Sequence, residues 1–367
     1  MTTIKANLKS QKDDSYSIII EDGLLKKVGS YLKKNTIGTK YAIISDTNVG
    51  KLYGRTLSAQ LAQNGILCEV LTFPSGDRSK RLEIVEKLAD RMLKKKFDRH
   101  DAIITLGGGV PGDIGGFLAS IYMRGIPYIH IPTSVVGMTD SSIGGKTGVN
   151  LAGGKNLIGR IEQPKAVLVN PTLLTTLPES DYITGKGEVL KYGAIMDTGL
   201  FKLLETSASK ILKRQPAILN KIIERSIKNK VSVIAKDVDE KGLRKVLNYG
   251  HTLGHAIEKI SNYKVSHGEA ISIGMKVVNI MASQHNHLSQ ANASRINNLI
   301  DSYRIIHPKS LSTIHPKNSS KLWNIMKADK KATNGVIQFV IPTTIGKHKL
   351  VDTFTKKDFT QALTRYA

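Results

Sequence analysis

The chain has 367 residues, enough for two domains that each bury a core, and its 40% hydrophobic and 23% charged content is that of a globular protein. A single cysteine, Cys68, excludes an intrachain disulfide and fits a reducing compartment. The net charge of +24 brings nucleic acid to mind, but the lysines and arginines are scattered, aromatics are only 5%, and no nucleic-acid-binding signature accompanies them, so that partner is not expected.

The N-terminal MTTIKANLKS lacks the apolar stretch of a signal peptide, and no apolar run approaches the roughly 18 residues of a membrane span. A cytoplasmic protein without membrane contact is expected. In chain order, YAIISD (41–46), CEVLTF (68–73), DAIITL (101–106), YIHIP (128–132) and AVLVN (166–170) read as strands. GRTLSAQLAQNG and KRLEIVEKLADRMLKKK between them read as helices. That alternation predicts βαβ units and a parallel sheet. After TLPES (176–180), the segments LFKLLETSASKILK, AILNKIIERSIKNKVSVIAKD, HGEAISIGMKVVNIMASQH and SRINNLIDSY keep a helical period, and GVIQFVIPTTIG predicts a short β element. The expected division is an α/β domain, residues 1–177, and a helical domain, residues 178–367.

Two glycine clusters mark the first half. In AIITLGGGVPGDIGG, Gly107, Gly109 and Gly112 satisfy G-x-G-x-x-G between a strand and a helix, the context of a phosphate cradle built from backbone amides. The usual acid about 20 residues on is missing, since position 132 is a proline; Asp46 or Asn48 in SDTN could supply it instead. The plain alternative is a tight strand-to-helix turn. In DSSIGGKTGVNLAGGKNLIG, Lys146 and Lys155 each follow a Gly-Gly pair and Asn156 comes next, which suits a loop approaching phosphate or carboxylate.

GHTLGHAIE sets His251 and His255 on one helical face, opposite the apolar stripe of Leu253, Ala256, Ile257 and Ile260. Gly254 costs that helix about 1 kcal/mol relative to alanine, which implies close approach of another backbone or a ligand. A third imidazole, His267, follows in SHGEA. An exposed polar face would carry lysine and glutamate; metal or acid–base chemistry suits this pattern better, and spacing alone makes both helical histidines ligand candidates.

The ordered motifs LGGGVPGD, YMRG, IPTS, DSSIGGKTGVN, GKNLIG, GEVLKYG, GLRKVLNYGHTLGHAIE and HGEA resemble the 3-dehydroquinate synthase family of sugar phosphate cyclases over nearly the whole chain. The resemblance implies a Rossmann-like α/β domain followed by a mostly α-helical C-terminal domain, a homodimer, a bound NAD and a zinc or cobalt ion. It implies an enzyme of the shikimate pathway, a phosphate-eliminating lyase acting on 3-deoxy-D-arabino-heptulosonate 7-phosphate. The family's reaction runs through transient oxidation at C5, phosphate elimination, re-reduction, ring opening and aldol closure.

Carried onto this sequence, the resemblance makes Glu188, His251 and His267 the metal ligands, with His255 an adjacent acid–base group. Asp46, Asn48, Asp77, Lys80, Gly108, Gly109, Val110, Asp113, Thr133, Ser134, Lys155 and Thr176 fall to the cofactor. Asp140, Lys146, Asn156, Lys191, Lys230, Arg244 and Asn248 fall to the substrate, with Arg124 reaching the phosphate from a neighbouring subunit and Lys331 as a further candidate. Taken singly, Glu188 and Lys191 could be a surface ion pair and Lys230 a solvated lysine. Pro111, Gly187, Asp77 and Ser134 depart from the family's usual residues without removing a ligand or a lysine. Related cyclases making inosose, valiolone or amino-dehydroquinate products share the pattern, and a metal- and NAD-dependent alcohol dehydrogenase is the alternative from another reaction class.

Overall fold

The computed structural model describes residues 13–238, 242–328 and 336–366. Six strands, β1 (Ser17–Ile20), β2 (Lys40–Asp46), β3 (Leu67–Phe73), β4 (Ala102–Gly107), β5 (Tyr128–Pro132) and β8 (Ala166–Val169), form one parallel sheet in the order β1-β8-β5-β4-β2-β3. The five strands expected from sequence are all present within a residue of their predicted bounds, and β1 adds a sixth that its short apolar run, SIII, did not announce. Helices α1 (Val28–Lys34), α2 (Thr47–Val49), α3 (Arg55–Gln63), α4 (Leu82–Lys94) and α5 (Gly109–Ile121) connect the strands.

The central strands are apolar on both faces, as a sheet covered on both sides requires. Tyr41, Ile43, Ile104, Leu106, Ile129 and Ile131 join a core that continues into the helical half through Val189, Tyr192, Leu253 and Ile273. Ala42, Ile44, Ile103 and Tyr128 pack in a second core with Val85, Leu88 and Met92 of α4 and Ile114 and Leu118 of α5.

The second glycine cluster is not a loop. It folds as an antiparallel hairpin, β6 (Lys146–Leu151) and β7 (Gly154–Ile161), packed on α5. Glycines hid the strand signal because they pack no side chain, yet Gly148 and Gly159 lie directly opposite each other across the hairpin.

The helical half comprises α6 (Glu179–Thr184), α7 (Lys186–Ile195), α8 (Thr198–Leu212), α9 (Pro216–Ile234), α10 (His251–Ile260), α11 (His267–Gln284), α12 (Gln290–Ser302), α13 (Ser319–Lys327) and α14 (Lys356–Tyr366). The late β element is the two-stranded ribbon β9 (Phe339–Thr344) and β10 (Lys347–Val351). Every residue of α7 is buried, and α11 is buried nearly all round, which marks them as the centre of this half. No described helix is long and apolar enough to cross a membrane.

Candidate active site

The sheet has one topological switch point. From β2 the chain runs outward to β3, then returns to place β4 on the other side of β2. Open parallel sheets bind ligands outside the carboxyl ends of the strands at such a crevice. Here those ends carry Asp46 after β2, Gly108, Gly109 and Val110 after β4, and Thr133 and Ser134 after β5. Helix α5 starts at Gly109 with Gly108 as its cap, so its first backbone amides face the crevice. Asp46 accepts hydrogen bonds from the amides of Asn48 and Val49 at 2.9 and 3.0 Å, a capping role that fixes its direction. Asn48 donates to Ser75 at 3.1 Å, and Thr176 lies against the Tyr53 hydroxyl. The glycines of α5 have a packing role too. A Cβ on Gly112 would stand 3.2 Å from the His130 ring, and one on Gly115 would press on Thr105.

Around the crevice, Lys80 is buried and pairs with Asp113 and Asn156. Lys155 ion-pairs with Asp77 at 3.4 Å on one side and with Glu258 of α10 at 3.1 Å on the other. The hairpin therefore joins the sheet half to the helical half.

The second cluster is assembled by close helix packing. Gly250 takes a left-handed φ of 78° at the start of α10, where a Cβ would lie 2.5 Å from the Ile271 carbonyl oxygen of α11. A Cβ on Gly254 would stand 3.1 Å from the Ile271 backbone, and one on Gly187 would stand 2.8 Å from the Gly268 carbonyl oxygen. The close approach that Gly254 implied is thus that of another backbone. Gly187, the departure just before Glu188, fits a site with no room for alanine's methyl.

These contacts bring Glu188 of α7, His251 of α10 and His267 of α11 together. Glu188 Oε1 lies 3.2 Å from both His251 Nε2 and His267 Nε2. His251 Nδ1 lies 3.1 Å from the Tyr249 carbonyl, to which it can only donate, and His267 Nδ1 lies 3.1 Å from Glu258 Oε2. Each imidazole thus presents its other nitrogen to the shared carboxylate, the arrangement that metal-ligating histidines adopt. Two nitrogens and a carboxylate within 4.8 Å of one another fit a divalent transition metal such as zinc or cobalt. His255 sits beside them, its ring centroid 5.6 Å from that of His251 and 6.2 Å from that of His267. A second possible donor group, His255, Glu258 and His267, shares one member with the first.

The charges here are buried. Burial alone would raise the Glu188 carboxyl, but Lys191, 2.5 Å away, and His251 hold it well below the usual range. Burial pushes His251 down to about 3. Burial would lower His267 as well, yet the carboxylates of Glu188 and Glu258 outweigh it and push it up to about 9. The Glu188–Lys191 pair exists, but in the interior, not on a helix surface.

Lys191 extends the site toward a cluster of buried cations. Lys230 donates to the Asp140 carbonyl at 2.6 Å and pairs with its carboxylate at 2.9 Å, and the Tyr192 hydroxyl donates to the same carboxylate. Arg244 donates to the Gly144 carbonyl at 3.2 Å and to the Val238 carbonyl at 2.8 Å. Lys191, Lys230 and Arg244 are at most 5% exposed, against two buried carboxylates, Glu188 paired to Lys191 and Asp140 paired to Lys230. Burial lowers the Lys230 ammonium, with Asp140 opposing. Such an excess of buried cations suits an anion.

Lys146 begins β6 and is exposed, Asn156 is held by its amide donating to Asn150 at 3.0 Å, and Asn248 ends the turn before α10. Arg124 is exposed at a left-handed turn after α5. Lys331 lies outside the described residues. Glu258, Tyr192 and Tyr16, whose hydroxyl accepts from the Gly144 amide at 3.0 Å, were not singled out from sequence. Glu258 had a legible signal, since it falls three residues after His255 and seven after His251 on the same helix face.

Fold and site together define the architecture of the sugar phosphate cyclases: a parallel α/β layer with a switch-point crevice, followed by a helical layer carrying a His-His-Glu cluster. Sequence profiles described as 3-dehydroquinate synthase N-terminal and C-terminal match residues 70–184 and 185–332. A 3-dehydroquinate synthase of Synechococcus sp. is 40% identical over 348 residues, 92% of each chain. Among solved structures, 2-epi-5-epi-valiolone synthase from Streptomyces hygroscopicus, with NAD+ and Zn2+ bound, superposes with a TM-score of 0.88 at 27% identity, covering 99% of this chain and 100% of its own. A 2-deoxy-scyllo-inosose synthase complexed with carbaglucose-6-phosphate, NAD+ and Co2+ gives 0.84 at 26% identity, covering 95% and 96%. The chain belongs to the 3-dehydroquinate synthase family.

Proposed function

We propose that this chain is a cytoplasmic 3-dehydroquinate synthase, converting 3-deoxy-D-arabino-heptulosonate 7-phosphate to 3-dehydroquinate and phosphate. The observation that carries the reading is the His251–Glu188–His267 cluster set beside the buried cations Lys191, Lys230 and Arg244. The names of its relatives and the ligands of its two structural neighbours support it. When bound, NAD supplies a hydride acceptor that returns the hydride within the same cycle, and zinc or cobalt supplies a Lewis acid at a substrate oxygen.

The chain's own residues do the remaining work. Glu188, His251 and His267 hold the metal, and two histidines with one carboxylate leave positions open for substrate. The residues at the switch point, with Asp77, Lys80, Asp113, Lys155 and Thr176, hold the dinucleotide. Lys146, Lys191, Lys230, Arg244, Asn156 and Asn248 bind the substrate's carboxylate and phosphate and stabilise negative charge as the C7–O bond to phosphate breaks. Asp140 keeps Lys230 in place, and His255 moves protons at the substrate's oxygens. Arg124 contributes to the phosphate subsite of the second subunit in a homodimer.

The test is phosphate release by chelator-treated protein resupplied with zinc and sub-stoichiometric NAD. Several phosphates released per NAD, and none in His251→Ala, is the expected result. Absence of release from this substrate, with release from another sugar phosphate, would reassign the chain within the cyclases. An alcohol dehydrogenase would instead consume one free NAD per product.

A further inference from the structure

Glu258 is a buried carboxylate whose two oxygens face two different halves of the protein. Oε2 lies 3.1 Å from His267 Nδ1, and Oε1 lies 3.1 Å from the Lys155 ammonium of the β6–β7 hairpin. Lys155 is held in turn by Asp77 at 3.4 Å and by the face of Tyr263, 4.3 Å from its ring centroid. A carboxylate this buried is costly without partners, and both of its partners lead to the proposed binding regions.

We propose that Glu258 is a positioning residue for the metal centre. It fixes the tautomer and ring orientation of His267 so that Nε2 faces Glu188, and Lys155 holds Glu258 in that pose from the hairpin. The inference rests on reading Glu188, His251 and His267 as the metal ligands. The chemistry is general: a histidine ligand whose remote nitrogen is held by a carboxylate has a fixed tautomer and a more basic donor, and loss of the partner weakens metal binding by roughly 10- to 100-fold. What this structure adds is the second link, through which a lysine on the sheet half acts on a histidine of the helical half.

The experiment measures the Zn2+ dissociation constant of the full chain by competition with a chromophoric chelator, in native protein and in Glu258→Gln, Lys155→Met, the double variant, His255→Ala and His251→Ala. Glu258→Gln should bind zinc roughly 10- to 100-fold more weakly, and the visible bands of its Co2+ form should shift. Lys155→Met, at a half-buried position, should weaken binding less. The double variant should be no worse than Glu258→Gln, because Lys155 acts through Glu258; contacting residues depart from additivity in this way. A merely structural role would lower the melting temperature while leaving the zinc affinity and the cobalt bands in place. His255→Ala should keep its zinc. Native-like zinc affinity in Glu258→Gln, or additive losses, would overturn the inference while leaving the metal centre intact. A loss in His255→Ala equal to that in His251→Ala would overturn it by making Glu258 a ligand. Absence of zinc binding by native protein would overturn the metal reading and this inference together.

Discussion

His251 and His267 face the same carboxylate yet are pushed in opposite directions. His251 is buried beside Lys191 with one carboxylate, and goes down to about 3; His267 sits between Glu188 and Glu258, and goes up to about 9. A histidine ligates a metal only without its proton. Below pH 9 the metal must therefore displace a proton from His267, and its apparent affinity should fall about tenfold for each pH unit. Zinc titrations at about pH 6.5, 7.5 and 8.5 should show that rise in affinity with pH, and a flat profile would show that His267 carries no proton for the metal to displace in this range. The residue types at this site were legible in the sequence through spacing and motif. Their convergence was not, because Glu188 lies 63 positions from His251 and 79 from His267. Helical spacing set Glu258 beside His251 and His255, but its partners His267 and Lys155, like the Asp140 that Tyr192 meets, lie on elements that no local pattern joins.

Helix α7 is the element on which the site depends. It is wholly buried yet carries Lys186, Glu188 and Lys191, charges whose burial costs stability unless each is paired and hydrogen-bonded. Lys186 makes the point: burial pushes it down to about 7, its ammonium donates to the Tyr182 carbonyl at 2.8 Å, and it lies over the Tyr182 ring. Between about pH 7 and 10.5 the unfolded chain binds a proton that the folded chain does not, so stability rises with pH across that window. Lys186→Met should remove that slope and raise the melting temperature at pH 7 by a few degrees; a lower melting temperature would show that the contacts with Tyr182 outweigh the burial cost. The glycines of α10 set how closely it meets α11. Gly254→Ala should destabilise by about 1–3 kcal/mol through overpacking, against about 1 kcal/mol gained in helix propensity. Gly250→Ala adds a left-handed conformation to a clash with backbone, and should cost more. Thermal melts of the two variants check the order. Gly254 announced a close approach in the sequence, whereas the identity of the approaching element came only from the packing of α11.

Across the whole molecule the two halves share one hydrophobic core, so unfolding of either half exposes part of the other. Acid is one way in. His130 is enclosed on the far face of the sheet, 2.5 Å from the Thr105 hydroxyl and beneath the first turns of α5, and burial pushes it down to about 3. Below about pH 6.5 the unfolded chain gains a proton that the folded chain refuses, so this residue lowers stability by up to about 1.4 kcal/mol per pH unit until about pH 3. His130→Asn should flatten that part of the acid limb in melts between about pH 6.5 and 4, and an unchanged slope would place the acid sensitivity elsewhere. The sequence by itself determined the layer order, the five main strands, the helical second half and the residue types of the site. Those features are written in local periodicity and in motifs that occupy short stretches of chain. Only the tertiary structure decided the hairpin within the second glycine cluster, the switch point between β2 and β4, and the meeting of α7, α10 and α11. Those depend on which distant backbones can touch, and the glycines that permit the contact do not say with what.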